Sequence, residues 1–277
     1  MDAAGAPVID GLSLATTGDK VLVFGASRAL FECAAGQLPR QRGKLLVDGR
    51  LAAEALRAGA LAAARLDPPL PPDFTPRSYA TWRARLSGHD PIGAKARVDL
   101  ALSALLLTAV ADAPLARATL TARRATVVAG ALATGAPALL LEDPTRGLPD
   151  DGTRSFAGVL VAALEGRRWA LFAPRTPLDG PLATRADEAL VLGGDSVSAQ
   201  GRPAALAARS RSFALVVHGA VGALRTALEG RGIAATGEAS RLTVDLGEEQ
   251  GTQDLFALAL SSGAVIVELS PLTSVFA

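Results

Sequence analysis

The sequence predicts an α/β protein whose sheet is mainly parallel, followed by a small α+β unit. Two observations lead to this fold class. As far as about residue 205, short apolar runs alternate with longer segments that carry apolar residues at helical spacing, which is typical of βαβ units. After a boundary at 201–212, the predicted elements follow the order βαββαβ of a ferredoxin-like unit. We therefore expect one domain at 1–205 and an accessory domain at 212–277.

The first elements are predicted from strand, helix and turn signals. Val8–Leu14 and Lys20–Phe24 favour one or two strands, because a Gly-Asp turn separates them. Residues 30–36 are apolar and compatible with a helix that ends at a glycine. A further short strand is predicted at 45–50, where the sequence ends in an Asp-Gly turn signal.

The middle of the chain is predicted to be mostly helical. Residues 67–76 are dense in proline, which excludes a helix or a central strand and favours a rigid connector. A helical subdomain is expected at about 76–118, since residues 97–110 have apolar side chains at helical spacing. Another helix is predicted at 121–133.

The remaining elements alternate between short apolar strands and helices. In the first domain we predict, in order, strand 138–143, helix 152–164, strand 168–173 and strand 189–192. In the accessory domain we predict strand 213–218, helix 220–228, strand 234–237, strand 241–246, helix 252–260 and strand 264–269.

The composition excludes several classes of function. With 28 basic and 27 acidic residues the net charge is +1, too small to attract nucleic acid. Hydrophobic residues make up 49% of the chain and charged residues 20%, which argues for a packed core. A single cysteine fits a reducing compartment. Neither a signal peptide nor a transmembrane helix is expected, because no basic segment precedes an apolar run and no apolar run is long enough.

A strand, a tight loop and the start of a helix are predicted at 21–36, with the sequence VLVFGASRALFECAAG. This segment resembles the phosphate-binding region of ABC-type ATPases, an apolar strand followed by G-x-x-G-x-G-K-[ST]-[ST] and L-L-x-x-x-A-G. It is four residues shorter, and the residues that drop out are those that supply the lysine for the phosphates and the hydroxyl for Mg²⁺. The resemblance implies a vestigial nucleotide-binding loop formed by Gly25, Ala26, Ser27, Arg28 and Ala29.

Two further segments carry the resemblance to ABC ATPases. RRATVVAGALA at 123–133 and PALLLEDPTRGL at 137–148 are similar to the family run Q-R-R-R-V-x-L-A-x-A-L … P-x-L-L-L-L-D-E-P-T-x-G-L-D. RADEALVLGGD at 185–195 is similar to the strand and turn that follow the family's switch histidine. The resemblance covers about residues 7–203 and implies a P-loop NTPase-like sheet of the ABC ATPase type. The end of the chain, VELSPLTSVF, resembles the accessory domain of some ABC exporters.

The resemblance also assigns residues to the family's functional positions, and each of them is altered. The signature-like residues are Thr119, Leu120 and Thr121, where the family has L-S-G-G-Q and bulky Leu120 is expected to obstruct the partner's phosphate. The Walker B-like residues are Glu142 and Asp143, in the reverse of the family order. The switch-like residue is Arg175, where the family has histidine.

These departures imply a degenerate, non-hydrolysing ABC transporter subunit without catalytic residues, bound metal or cofactor. Its expected partners are an ABC membrane permease or a second ABC ATPase subunit, as a homodimer or heterodimer, at the cytoplasmic face of the membrane. Two alternatives stay open, namely an active ABC ATPase that uses ATP and Mg²⁺ with unorthodox motifs, and an interaction module without a transporter. The residues alone allow simpler interpretations. The loop at 25–28 can be an ordinary strand–helix turn or an anion site, and Glu142 with Asp143 can be solvated or can bind a metal.

Overall fold

The computed structural model describes residues 9, 11–25, 27–39, 42–174, 177–193, 195–247 and 249–272. Within these residues the strands are β1 Lys20–Gly25, β2 Leu46–Val47, β3 Arg50–Leu51, β4 Leu61–Ala64, β5 Ala138–Glu142, β6 Arg168–Phe172, β7 Glu188–Gly193, β8 Ser196–Gly201, β9 Ser212–Gly219, β10 Ala234–Thr236, β11 Arg241–Asp245 and β12 Ala264–Leu272. The helices are α1 Arg28–Ala34, α2 Ala52–Arg57, α3 Pro76–Leu86, α4 Pro91–Ala104, α5 Leu120–Ala133, α6 Asp150–Ala163, α7 Pro181–Arg185, α8 Pro203–Ala207, α9 Val221–Gly230 and α10 Thr252–Ser261.

The main sheet has the order β4-β5-β6-β1-β7-β8. Its first five strands are parallel to their neighbours, and only β8 is antiparallel to the strand it pairs with. Successive side chains of a strand point to opposite faces of the sheet. In the central strands both sets of side chains are apolar, so both faces of the sheet are covered. In β1, Val21 and Val23 enter one hydrophobic cluster, while Leu22 and Phe24 enter the other. The predicted α/β class is therefore confirmed.

Helices α3, α4 and α5 pack against one another and form a layer beside β4. A capping box begins α3, since the hydroxyls of Thr75 and Ser78 satisfy each other's backbone N–H groups (3.1 and 2.8 Å). Gly130 of α5 lies directly against α3. A Cβ at this position would come within 2.5 Å of the ring of Tyr79, so only glycine permits this helix–helix distance.

The C-terminal unit contains a four-stranded sheet with the order β10-β11-β9-β12. All neighbouring strands are antiparallel, and α9 and α10 pack on one face around an apolar cluster. This is the strand order of the βαββαβ unit that the sequence predicts. The unit contacts the rest of the chain through an ion pair between Arg154 and Glu268 (2.5 Å) and a hydrogen bond from the Leu178 N–H to the Pro271 carbonyl (3.1 Å).

Several sequence predictions about elements are wrong. No strand forms at the described residues between 9 and 14, although Val8–Leu14 was an expected strand; Val8 itself lies outside the described residues. The strand expected at 45–50 is instead a small β2–β3 hairpin over 46–51. Helix α2 and strand β4 were not predicted. In the part of the chain that the structure describes, no helix is sufficiently long and apolar to span a membrane.

Candidate functional site

The candidate site lies at one edge of the main sheet. Strands β1, β4, β5 and β6 are parallel, so their carboxyl ends meet at the same edge. Open parallel sheets bind ligands in the loops that leave this edge. The sequence-predicted residues of the nucleotide loop and of the Walker B-like pair follow β1 and β5, and the structure therefore brings these two segments to the same side of the sheet.

The connection between β1 and α1 is very short. Two residues separate Gly25, the last residue of β1, from Arg28, the first residue of α1. Gly25 has a φ of +80°, which glycine adopts readily. The Gly25 N–H donates to the Pro174 carbonyl (3.3 Å), and the Ser27 N–H donates back to the Gly25 carbonyl (2.7 Å). Ala26 lies outside the described residues. Two backbone N–H groups of this loop are thus already bonded within the protein.

Two side chains of this segment, those of Ser27 and Ala29, face the protein interior. Ser27 is 3% exposed, and its hydroxyl lies 3.5 Å from the Ala173 carbonyl at the end of β6. Ala29 is buried in the core. Arg28 is exposed and pairs with Glu32 one helical turn later (3.0 Å), a hydrogen bond that raises the pKa of Arg28. In the described part of this segment Arg28 is the exposed cation, and the N–H groups of Gly25 and Ser27 are bonded to carbonyl oxygens.

Glu142 is the last residue of β5 and Asp143 follows it, and the two side chains have different environments. Glu142 is partly buried, and its Oε2 accepts a hydrogen bond from the Leu66 N–H (3.0 Å). Asp143 is 6% exposed and has a φ of +31°, in the left-handed region that few non-glycine residues adopt. Its Oδ1 lies 3.4 Å from the hydroxyl of Thr145. Burial raises the pKa of Asp143 to about 6, despite the opposing charge of Arg146.

Arg124 lies beside the candidate site, and the sequence analysis did not predict it as a site residue. It projects from α5, is 6% exposed, and donates to the Leu66 carbonyl and to the Asp67 carboxylate, the latter at 2.6 Å. Its Nε is buried without a hydrogen-bond partner among the described residues. Arg124 and Glu142 together satisfy both backbone groups of Leu66. They hold the start of the proline-rich connector against the sheet edge.

The remaining predicted site residues lie at the start of α5 or outside the described residues. The hydroxyl of Thr119 accepts from the Ala122 N–H (3.2 Å), and Thr119 is therefore the N-cap of α5. Leu120 is 38% exposed and lies beside Gly147. Thr121 is half-buried. Arg175, the switch-like residue, lies outside the described residues.

Metal-ligating side chains do not converge in the described part of the chain. No group of three or more histidine, cysteine, aspartate or glutamate residues there is arranged to hold a metal ion. Glu142 and Asp143 are a pair without a third carboxylate or imidazole, and one member accepts a backbone hydrogen bond while the other is buried.

A cavity of about 520 Å³ lies beside β4, between α2 and α3. Among the described residues that line it, Arg57, Arg65 and Arg83 are charged and none is a carboxylate. Arg83 donates to the Ala63 carbonyl of β4 (3.2 Å), whereas Arg65 is exposed. The cavity therefore presents positive charge next to the edge of the main sheet.

No protein-family model and no curated protein matches the chain. Solved structures do match it. The cbiO1 protein from Clostridium perfringens, part of the ABC transporter complex cbiONQ, has a TM-score of 0.62 at 20% identity, over 75% of this chain and 87% of that one. A nucleotide-free ATP-binding cassette from an ABC transporter has a TM-score of 0.58 at 16% identity, over 70% and 85% of the two chains. The chain has the ATP-binding cassette fold.

A third solved structure, the ATP-binding subunit of an ABC transporter, has a TM-score of 0.61 at 13% identity over 75% of this chain and 89% of that one. The ATP-binding cassette fold confirms the fold class that the sequence predicts. At identities of 20% or less, the likeness concerns the fold, and function has to be argued from the residues of the site.

Proposed function

We propose that this chain is a degenerate ABC ATP-binding subunit that does not hydrolyse ATP. The observation that carries the proposal is the two-residue connection between Gly25 and Arg28. A phosphate-binding loop surrounds the β- and γ-phosphates with consecutive backbone N–H groups and adds a lysine and a hydroxyl. Here the N–H groups of Gly25 and Ser27 are bonded to carbonyl oxygens, and the Ser27 hydroxyl faces the Ala173 carbonyl.

The carboxylates after β5 support the same proposal. A Mg²⁺ ion prefers ionised oxygen ligands and near-octahedral coordination that includes substrate phosphates. Asp143 is buried, and burial raises its pKa to about 6, so its ionised form is less favoured than that of an ordinary aspartate. Glu142 accepts the Leu66 N–H and fixes the adjoining loop. These residues do not fit a magnesium nucleotide, and no step of a hydrolytic reaction is assigned to them.

As a subunit without catalysis, the chain acts as a structural or regulatory partner of a membrane exporter or of another ATPase chain. The cavity beside β4 supports a partner role, because its described lining contains Arg57, Arg65 and Arg83 and no carboxylate. Such a surface suits a segment with acidic side chains, since opposite charge speeds association and selects the partner. In this role the chain binds peripherally to a permease at the cytoplasmic face of a membrane.

Measuring ATP turnover by the purified protein tests the proposal. We expect no Mg²⁺-dependent release of phosphate, whereas kinases, which transfer the same phosphoryl group, turn over at about 1–100 s⁻¹. The matched control is Asp143→Ala, which removes the Walker B-like carboxylate. Turnover in this range that disappears in Asp143→Ala would overturn the proposal.

The alternative of an active ABC ATPase is favoured by one observation. Glu142 and Asp143 stand at the carboxyl end of β5, and that end is separated from the Gly25 loop only by β6. The turnover assay with its Asp143→Ala control decides between the two functions. The third candidate function is an interaction module that works without a transporter. Co-purification of a membrane permease with the tagged chain would contradict it.

A further inference from the structure

The proline-rich connector between β4 and α3 has no role in the proposed function. Residues 65–74 have the sequence RLDPPLPPDF. Proline fixes its own φ near about −65°, and the residue before a proline is held in an extended conformation. Four of the five residues at 67–71 precede a proline. The sequence therefore favours a polyproline II helix over this stretch, and the structure has no α-helix or β-strand there.

Both ends of the connector are held by contacts with the rest of the chain or with a turn. At its start, Arg124 binds the Leu66 carbonyl and pairs with the Asp67 carboxylate, the latter at 2.6 Å. At its end, the Phe74 N–H donates to the Pro71 carbonyl (3.0 Å) and closes a turn. A segment that is already fixed loses little conformational entropy when a partner binds it.

The connector turns one edge toward the protein and two edges toward solvent. A polyproline II helix has three residues per turn, so residues three apart share an edge. Asp67 and Leu70 share an edge, and both contact the protein, since Asp67 pairs with Arg124 and Leu70 packs against the main apolar cluster. Pro69 and Pro71 belong to the other two edges, and both are exposed. Two apolar edges of this three-sided rod are therefore open to a partner.

The connector also presents polar groups that the chain itself does not use. The carbonyls of Pro68 and Pro69 accept no hydrogen bond from a described residue. Tyrosine O–H and tryptophan N–H groups can donate to such carbonyls. Arg65, at the start of the connector, is exposed and forms no ion pair with a described residue. A partner carboxylate would pair with this cation.

We propose that residues 65–71 are a docking segment for a partner domain whose groove is lined by aromatic side chains and has a carboxylate at its rim. Pro68 and Pro71 have the P-x-x-P spacing that such grooves bind. Aromatic rings of the groove pack on the exposed prolines, and their polar ends donate to the unused carbonyls. The carboxylate at the rim pairs with Arg65 and sets the direction in which the segment lies in the groove.

Calorimetric titration of the full chain with purified proline-recognition domains tests this proposal. The probes are one SH3, one WW and one EVH1 domain, which bind polyproline II segments in aromatic grooves. We expect at least one of them to bind with a dissociation constant of about 10–100 µM. Pro69→Ala and Pro71→Ala, tested separately, should each raise this constant about 10-fold, because each removes a ring that the groove contacts and loosens the segment.

Pro114→Ala is the matched control for these variants. Pro114 is exposed and lies between α4 and α5, outside the connector, so this variant should bind the probe like the wild type. Thermal melting checks that each variant is folded. Alanine at position 71 keeps the carbonyl that Phe74 uses. Arg65→Glu, at an exposed position and with the same expected loss of about 10-fold, replaces any variant that is not folded.

Three outcomes would overturn the proposal. The first is that none of the three domains binds at about 500 µM. The second is binding that the connector variants leave unchanged, and the third is binding that Pro114→Ala weakens as much as they do. Any of these results would leave the segment a rigid connector. The outcome is separate from the proposed function, because the titration involves neither nucleotide nor the loop that follows β1.

Discussion

Replacing Asp143 by asparagine is expected to stabilise the protein, and by more at high pH than at low pH. Asparagine has nearly the same shape, can still accept from Thr145, and carries no charge. Burial raises the pKa of Asp143 to about 6 in the folded protein, while an unfolded chain has about 3.9. Between these values the folded state binds more protons than the unfolded state, so the stability of the wild type falls as the pH rises.

The size of this effect follows from the shift in pKa. One pKa unit is worth about 1.36 kcal/mol, so a full shift from the unfolded value costs the wild type about 3 kcal/mol once the pH exceeds the folded pKa. Near pH 4.5 the folded carboxyl is still protonated while the unfolded one is mostly ionised, which costs about 1 kcal/mol. Asp143→Asn should therefore gain about 1 kcal/mol near pH 4.5 and about 3 kcal/mol near pH 8.

Urea unfolding at the two pH values measures this gain. Trp169 is 4% exposed in β6, which pairs with β5 in the main sheet, and its fluorescence reports the unfolding of this sheet. Asp112→Asn is the matched control, because Asp112 is 74% exposed in a surface ion pair and should change stability by less than about 1 kcal/mol. A gain that does not depend on pH, or a loss of stability near pH 8, would refute the reasoning. A gain that does not depend on pH would mean that folding leaves the pKa of Asp143 unshifted, and a loss near pH 8 would mean that the site favours an ionised carboxylate.

Three further substitutions test the structural roles assigned above by urea unfolding. Thr119→Ala removes the N-cap of α5 and should cost about 1 kcal/mol; no loss would show that the hydroxyl is not a cap. Gly130→Ala forces a Cβ against Tyr79 and should cost about 1–3 kcal/mol, and an unchanged midpoint would contradict the close approach of α3 and α5. Leu141→Ala leaves a cavity at a position that is 0% exposed and should cost about 2–5 kcal/mol, whereas a cost under about 1 kcal/mol would contradict its place in the core.

The sequence predicted the main sheet well wherever an apolar run was short and bounded by turn signals. Strands β1, β5, β6 and β7 satisfy this condition, and their burial on both faces explains their continuous apolar runs. Strand β4 and helix α2 were missed because residues 52–64 are rich in alanine, which suits a helix throughout and hides the change in period. The expected strand Val8–Leu14 alternates apolar and polar residues, but its described residues find no partner strand.

At the candidate site, sequence spacing located the loop after β1 and the two acidic residues after β5. It did not predict how these groups are used. The hydrogen bond from Leu66 to Glu142 joins residues 76 positions apart, and the one from Arg124 to Leu66 joins residues 58 apart. Such contacts depend on which strand lies beside which. The one sequence signal for these contacts is an arginine at the start of an apolar helix. The sequence has two adjacent candidates, Arg123 and Arg124, and does not reveal which of them is buried.

Calorimetric titration of the purified protein with ATP, with and without Mg²⁺, tests the central claim most directly. With two residues between Gly25 and Arg28, and with the N–H groups of Gly25 and Ser27 bonded within the protein, the chain should give no binding heat even at about millimolar ATP. Binding with a dissociation constant of about 1 µM would contradict the account. It would mean that this chain rebuilds a phosphate site, and the active ATPase would become the better description.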